Sequence, residues 1–207
     1  MEAIKKHKKT IKIAIVIIVV LFICYLIGQN IVLPNRMRSA GYVDADGNIP
    51  QYSILQNFNS FSIKGQAPAD VPGSTSIQKI EFTKDNAAIP DEWLGNCIFM
   101  LPNTSFAKVI DLDKKSTKID LEYGIYPDKV TEVSDGADLY VEVYVDGKSK
   151  PVIREKLKAE PNGEINRAKI DISKYAGKKV SISFSCLDGG NGNEDADWMM
   201  IKYPVIE

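Results

Sequence analysis

The chain has 207 residues, with 26 Lys+Arg against 27 Asp+Glu and a single histidine, for a formal net charge of −1. That balance excludes the basic excess typical of nucleic-acid-binding proteins. Because His7 is the only imidazole, Ser-His-Asp triads, Cys-His dyads and His-ligated zinc are excluded from everything downstream. The charge is also unevenly placed: residues 1–12 hold five Lys against one Glu, or +4, which leaves −5 for the rest of the chain.

Behind the basic tip, residues 13–33 carry no charge and are dominated by Ile, Val, Leu and Phe. As a helix, 21 residues would extend roughly 31 Å, matching a hydrocarbon core of about 30 Å. The run is longer than the apolar region of a cleavable signal, and no small-x-small site follows it closely, so it reads as an uncleaved signal anchor. Five Lys before the span and only Arg36 and Arg38 just after it put the N-terminus in the cytoplasm. The expected organisation is a cytoplasmic tip (1–12), a transmembrane helix (13–33), a polar, turn-rich stem (34–56) and an extracytoplasmic domain (57–207). That makes a single-pass protein of the cell membrane.

Period-two alternation then recurs in short runs. In chain order the expected strands are Ser60–Lys64, Ser76–Phe82, Asn96–Leu101, Ala107–Leu112, 118–125, 139–145, Val152–Ala159, Arg167–Ile172, 180–186 and Trp198–Tyr203. Three show the pattern most clearly. Ile119, Leu121, Tyr123 and Ile125 alternate with polar neighbours, as do Leu139, Val141, Val143 and Val145, and Val180, Ile182, Phe184 and Cys186. Asp146-Gly147 marks a hairpin turn. No stretch holds a helical period, so the domain is expected to be an all-β, antiparallel sandwich of two facing sheets. Cys24 lies in the apolar run. Cys97 and Cys186 could pair in an oxidising compartment, although the alternation aims Cys186 at a core and favours a buried free thiol.

The last seventy residues carry a more specific pattern. DLYVEVYVDGK (138–148) precedes AKIDISKYAGKKVSISFSCLDGGNGNEDADWMMIKYPVI (168–206), in which a Gly/Asn/Asp-rich loop ends in Ala196-Asp197-Trp198. This order resembles the galactose-binding-like jelly rolls, and in particular the NPCBM family of carbohydrate-binding modules. The motif covers about a third of the chain, and the upstream strands match by pattern alone. The chain departs from the family at Asp195, where a His often stands, and after Trp198, where Met199, Met200 and Ile201 replace the usual Ala and aromatic. The resemblance implies a jelly-roll sandwich with a carbohydrate-binding function. It also implies that Trp198 anchors the core while Asp197 ties the loop.

Glycan recognition uses aromatic faces against the apolar side of a sugar, together with carboxylates and hydroxyls. The candidate ligand-binding residues are therefore Trp93, Tyr126, Tyr144, Asp197 and Trp198. Asp188, Asn191, Asn193 and Asp195 form a glycine-flanked set of hard oxygen donors suited to calcium, as an alternative to a loop capped by its own Asx turns. A second acidic turn, Asp44-Ala45-Asp46-Gly47-Asn48, has similar chemistry. With no imidazole and no second carboxylate placed by motif, a glycoside hydrolase is the least favoured reading. The leading expectation is a non-catalytic, membrane-tethered carbohydrate-binding module. The alternative is an interaction or structural subunit of a cell-envelope complex that binds no sugar. The expected partners are thus a membrane and a glycan or envelope protein, and no nucleic acid.

Overall fold

The computed structural model describes residues 16–28, 32–33, 36–37, 40–65, 76–84, 89–127, 133–146, 148–189 and 196–207. The chain divides into two compact units, Met1–Ala40 and Gly41–Glu207. In the first, residues 16–28 are helical, and apolar side chains on every side of the helix are exposed, from Val16 to Ile27. Among the described residues no helix is long and apolar enough to cross a membrane. The described helix rises only roughly 20 Å against a hydrocarbon core of about 30 Å. Residues 13–15 and 29–31 of the expected span lie outside the described residues.

The second unit is an antiparallel sandwich of two sheets, as the alternation predicts. Its strands are β1 (Tyr52–Ser53), β2 (Ser62–Lys64), β3 (Ile77–Phe82), β4 (Gly95–Met100), β5 (Thr104–Asp111), β6 (Lys118–Ile125), β7 (Ala137–Val145), β8 (Ile153–Ala159), β9 (Asn166–Asp171), β10 (Lys179–Leu187) and β11 (Met199–Ile206). One sheet runs β3-β4-β11-β6-β9, with β1 paired to β11 as its sixth strand; the other runs β2-β5-β10-β7-β8. The alternating residues of β6, β7 and β10 meet between the sheets: Leu121, Ile125, Leu139, Val141, Ile182 and Phe184 are all fully buried. Phe106 stacks on Phe184 at 4.7 Å in the middle of this core.

The expected stem is corrected. From Gly41 onward the chain belongs to the sandwich unit: Val43, Asp44, Ile54 and Leu55 are buried, and β1 continues the sheet beside β11. Ile54 and Leu55 fill the interior, and the Ile54 N–H donates to the Pro204 carbonyl at 2.9 Å. Two apolar residues within a polar segment are enough to draw it into the core, where fully burying each stabilises by about 1.5–3 kcal/mol.

The register sorts the connections into two ends. Met199 of β11 pairs with Met100 and Ile125, and Leu187 of β10 with Asp138. One end therefore carries the connections β2–β3, β4–β5, β6–β7, β8–β9 and β10–β11. The opposite end carries β3–β4, β5–β6, β7–β8 and β9–β10, because Phe82 faces Gly95, Asp111 faces Lys179 and Val145 faces Val180.

The outer face of the six-stranded sheet is covered twice. The connection from β3 to β4 lays Trp93 over it, forming a second cluster with Phe82, Cys97, Phe99 and Met200. The segment 41–51 crosses it too, pinned by Arg167, which makes paired hydrogen bonds to Asp46 (2.9 and 2.8 Å) and to Asp120 (3.0 and 2.9 Å). The outer face of the five-stranded sheet has no such cover among the described residues.

Candidate functional site

The expected aromatic residues do not converge. Trp93, read as a loop aromatic available to ligand, is fully buried; its indole N–H donates to the Gly163 carbonyl at 3.0 Å. The correction has a local cause at Gly124 of β6. A Cβ there would sit 2.9 Å from the Trp93 ring and 2.5 Å from the Glu164 carbonyl oxygen, so the missing side chain is the seat of the indole. Tyr126 and Trp198 are half-buried, with ring centroids 5.8 Å apart, and both rings pack edge-on against Phe99. Asp197 is fully buried and accepts the Ser134 hydroxyl at 2.6 Å, and Ser134 in turn accepts the Gly136 N–H. It ties the β6–β7 connection to the start of β11. Burial pushes its carboxyl above the usual aspartate range, and the charge of Asp135 adds to this against the Ser134 bond.

Tyr144 stands apart, on the bare outer face of the five-stranded sheet. It lines a shallow cleft of about 150 Å³ with Val109, Asp146, Lys148, Lys179 and Ser181. The register explains the grouping: Ser181 of β10 pairs with Val109 of β5 on one side and Tyr144 of β7 on the other. Alternation turns all three outward together, and Val109 is 54% exposed in the middle of a sheet. The Tyr144 hydroxyl donates to Glu142 Oε2 at 2.7 Å, and Glu142 also takes Arg154 Nε at 3.2 Å. The phenol is thereby held in place, and its pKa is raised, first by that hydrogen bond and then by burial.

The state of the ring faces separates Tyr144 from its neighbours. Arg154 lies 4.9 Å over the Tyr140 ring. Lys108 lies 5.6 Å over Tyr52, which borders a smaller cleft of about 90 Å³. Among the described residues, Tyr144 has neither a ring nor a cation against it. Val109, Asp146, Lys148 and Lys179 had no signal in the sequence beyond their outward phase or their place in a turn.

Of the calcium candidates, Asn191, Asn193 and Asp195 lie outside the described residues. Asp188 is half-buried at the end of β10. Among the described residues no group of three or more His, Cys, Asp or Glu is placed to hold a metal ion. Among the described residues, one buried oxygen each of Asp138 and Asp197 has no hydrogen-bond partner. The other acidic turn is a structural cap. Asp44 accepts the N–H groups of Asp46 (2.9 Å) and Asn48 (2.7 Å), which with the Asn48 amide outweigh burial and lower its pKa.

Both domain cysteines are free and buried, Cys186 in the main core and Cys97 in the outer cluster. They lie on different sheets, and burial pushes the Cys97 thiol up to about 12, so neither is a reactive thiolate.

No family model matches the chain, and no curated protein does. Among solved structures it is similar to TmCBM61 in complex with β-1,4-galactotriose, at 9% identity and a TM-score of 0.49, covering 72% of this chain and 89% of that one. It is also similar to CBM51 from Clostridium perfringens GH95 in complex with methyl-galactose, at 16% identity and a TM-score of 0.44, covering 70% and 92%. A third likeness is to a family 6 carbohydrate-binding module, at 12% identity and a TM-score of 0.39, covering 71% and 93%. All three fall below a TM-score of 0.5, and the sandwich is described from its own strand pairing.

Proposed function

We propose that the chain is a non-catalytic carbohydrate-binding module, held at the outer surface of a cell membrane by its N-terminal segment. The observation that carries the reading is the free ring face of Tyr144 over a cleft that also offers donors (Lys148, Lys179), an acceptor (Asp146) and a hydroxyl (Ser181). Sugars present that mixture of an apolar ring face and hydroxyls that both donate and accept. The cleft is smaller than the roughly 300–1,000 Å³ of sites that enclose whole small molecules. It suits one ring of a longer glycan. Asp146 is the single carboxylate among its lining residues, whereas glycosidases place two across the scissile bond.

The membrane part of the reading is supported by the uncharged run 13–33, the basic tip before it and the all-round apolar surface of the helix at 16–28. Calcium on the 188–195 loop belongs to the same proposal, supported by its oxygen donors and by the two unpartnered carboxylate oxygens of Asp138 and Asp197. If it binds, EDTA lowers the melting temperature of the full chain, since a ion bound only by the folded state stabilises it. An unchanged melting curve removes the metal.

Glycan binding is tested with the full chain in detergent on a polysaccharide array. Tyr144→Ala is expected to abolish retention, while Ser183→Ala, one register row away, keeps it. The alternative is a docking face for an envelope protein, for which the exposed Val109 speaks equally. Retention of no glycan, with an envelope protein bound through Val109, would establish that alternative.

A further inference from the structure

The end of the sandwich that the cleft opens onto is cationic, against the charge of the chain as a whole. Three of its connections, β5–β6, β7–β8 and β9–β10, with the strand ends beside them (111–116, 146–152 and 171–179), hold seven lysines against four aspartates, in a chain that beyond residue 12 totals −5. The β5–β6 and β9–β10 connections are bonded into one surface: the Leu112 N–H donates to the Lys178 carbonyl and the Gly177 N–H to the Asp113 carbonyl.

The lysines here differ from four on or beside the strands. Lys118, Lys156, Lys158 and Lys169 each face a carboxylate within ion-pair distance. Among the described residues, none of the seven end lysines does, and all are exposed. The opposing aspartates are partly occupied. Asp113 and Asp171 each accept a backbone N–H of their own turn at 2.8 Å. Asp111 lies across from Lys179 in the register, and Asp146 lines the cleft. Within these segments lysines outnumber aspartates by three, and Lys148 and Lys179 line the cleft beside Tyr144.

We infer that the cleft takes a carboxylated sugar of an acidic polysaccharide, its ring on Tyr144 and its carboxylate toward Lys148 and Lys179, while the flanking chain lies over the lysine-rich end. The inference rests on the glycan reading of the cleft and sharpens it to an anionic class of ligand. An unpaired ammonium beside an apolar ring wall suits a uronate, because charge-assisted hydrogen bonds to a carboxylate are stronger than those to a hydroxyl.

The test compares the full chain on polygalacturonate and alginate with the same polygalacturonate after methyl esterification, which removes the charge and keeps the ring. The acidic polymers are expected to bind, the esterified one at least about tenfold more weakly, and added salt to weaken only the former. The double variant Lys148→Gln, Lys179→Gln is expected to lose about tenfold or more on the acidic polymers, the scale of one charge-assisted contact. If the esterified polymer binds as well as the acid, and the lysine variant is unaffected while Tyr144→Ala still abolishes binding, the cleft takes a neutral sugar. The anionic assignment then falls and the glycan reading stands. Binding to none of these polymers overturns the anionic assignment, and retention of no glycan on the polysaccharide array as well overturns both.

Discussion

On the outer face of the six-stranded sheet, outward positions carry Phe99, Met200 and Lys202, and all three are buried. On the outer face of the five-stranded sheet, the equivalent positions carry Val109, Tyr144 and Ser181, and none is. Strand alternation is the same in both sheets; the connections differ. On the first sheet the β3–β4 connection and segment 41–51 fold back across the face, so its outward residues act as a second core. Even Lys202 is enclosed there: burial lowers its pKa, and its ammonium donates to the Glu92 carbonyl. On the second sheet no described segment folds back across the face, and Val109, Tyr144 and Ser181 stay open to solvent. One face therefore carries stability, and the other is the one proposed above to carry recognition.

Substitutions should separate these roles. The largest effect is expected on the covered face: Trp93→Ala removes a fully buried indole and its bond to Gly163, at a cost of about 3–5 kcal/mol by denaturant unfolding. A loss below about 1 kcal/mol would mean that the cover is not integral to the fold.

Asp120→Asn should follow, at about 2 kcal/mol, because its buried carboxylate is shared by Arg167, Lys118 and Lys169, all of which keep solvent contact. The same residue sets an acid limb. Burial pushes the Asp120 carboxyl up, but Arg167 and the two lysines outweigh it and hold it below 3.8. A lowered folded value stabilises above the unfolded pKa and loses that contribution as pH falls through the folded one. Stability should thus decline below about pH 4, and the decline should be shallower in Asp120→Asn; identical acid limbs would contradict this.

The smallest stability effect is expected on the open face. Tyr144→Ala should cost no more than about 1 kcal/mol while removing glycan retention. A melting temperature lowered as far as that of Trp93→Ala would show this face to be core as well.

Much of the fold was legible from alternation alone. Val180, Ile182, Phe184 and Cys186 point to one side because the strand period is two, and the structure buries all four. The two-residue β1 was not legible, since a stretch that short has no period and its pairing with β11 depends on partners about 150 residues away. Trp93 misled for a related reason. Its neighbours are polar, and the glycine that seats it lies 31 positions further on, in another strand. The cleft was legible only through Tyr144. Val109 and Ser181 share its outward phase, but nothing in the chain says that β5, β10 and β7 are neighbours.

By itself, the sequence determined the all-β class, the inward set of each long strand, the absence of imidazole chemistry and the uneven charge, because these follow from residue identity and local period. Tertiary structure decided which strands pair, which of the two outer faces is covered, and that seven unpaired lysines gather at one end. These properties arise from contacts between residues distant in the chain, whose register is selected by burial in the assembled core and not by any local preference.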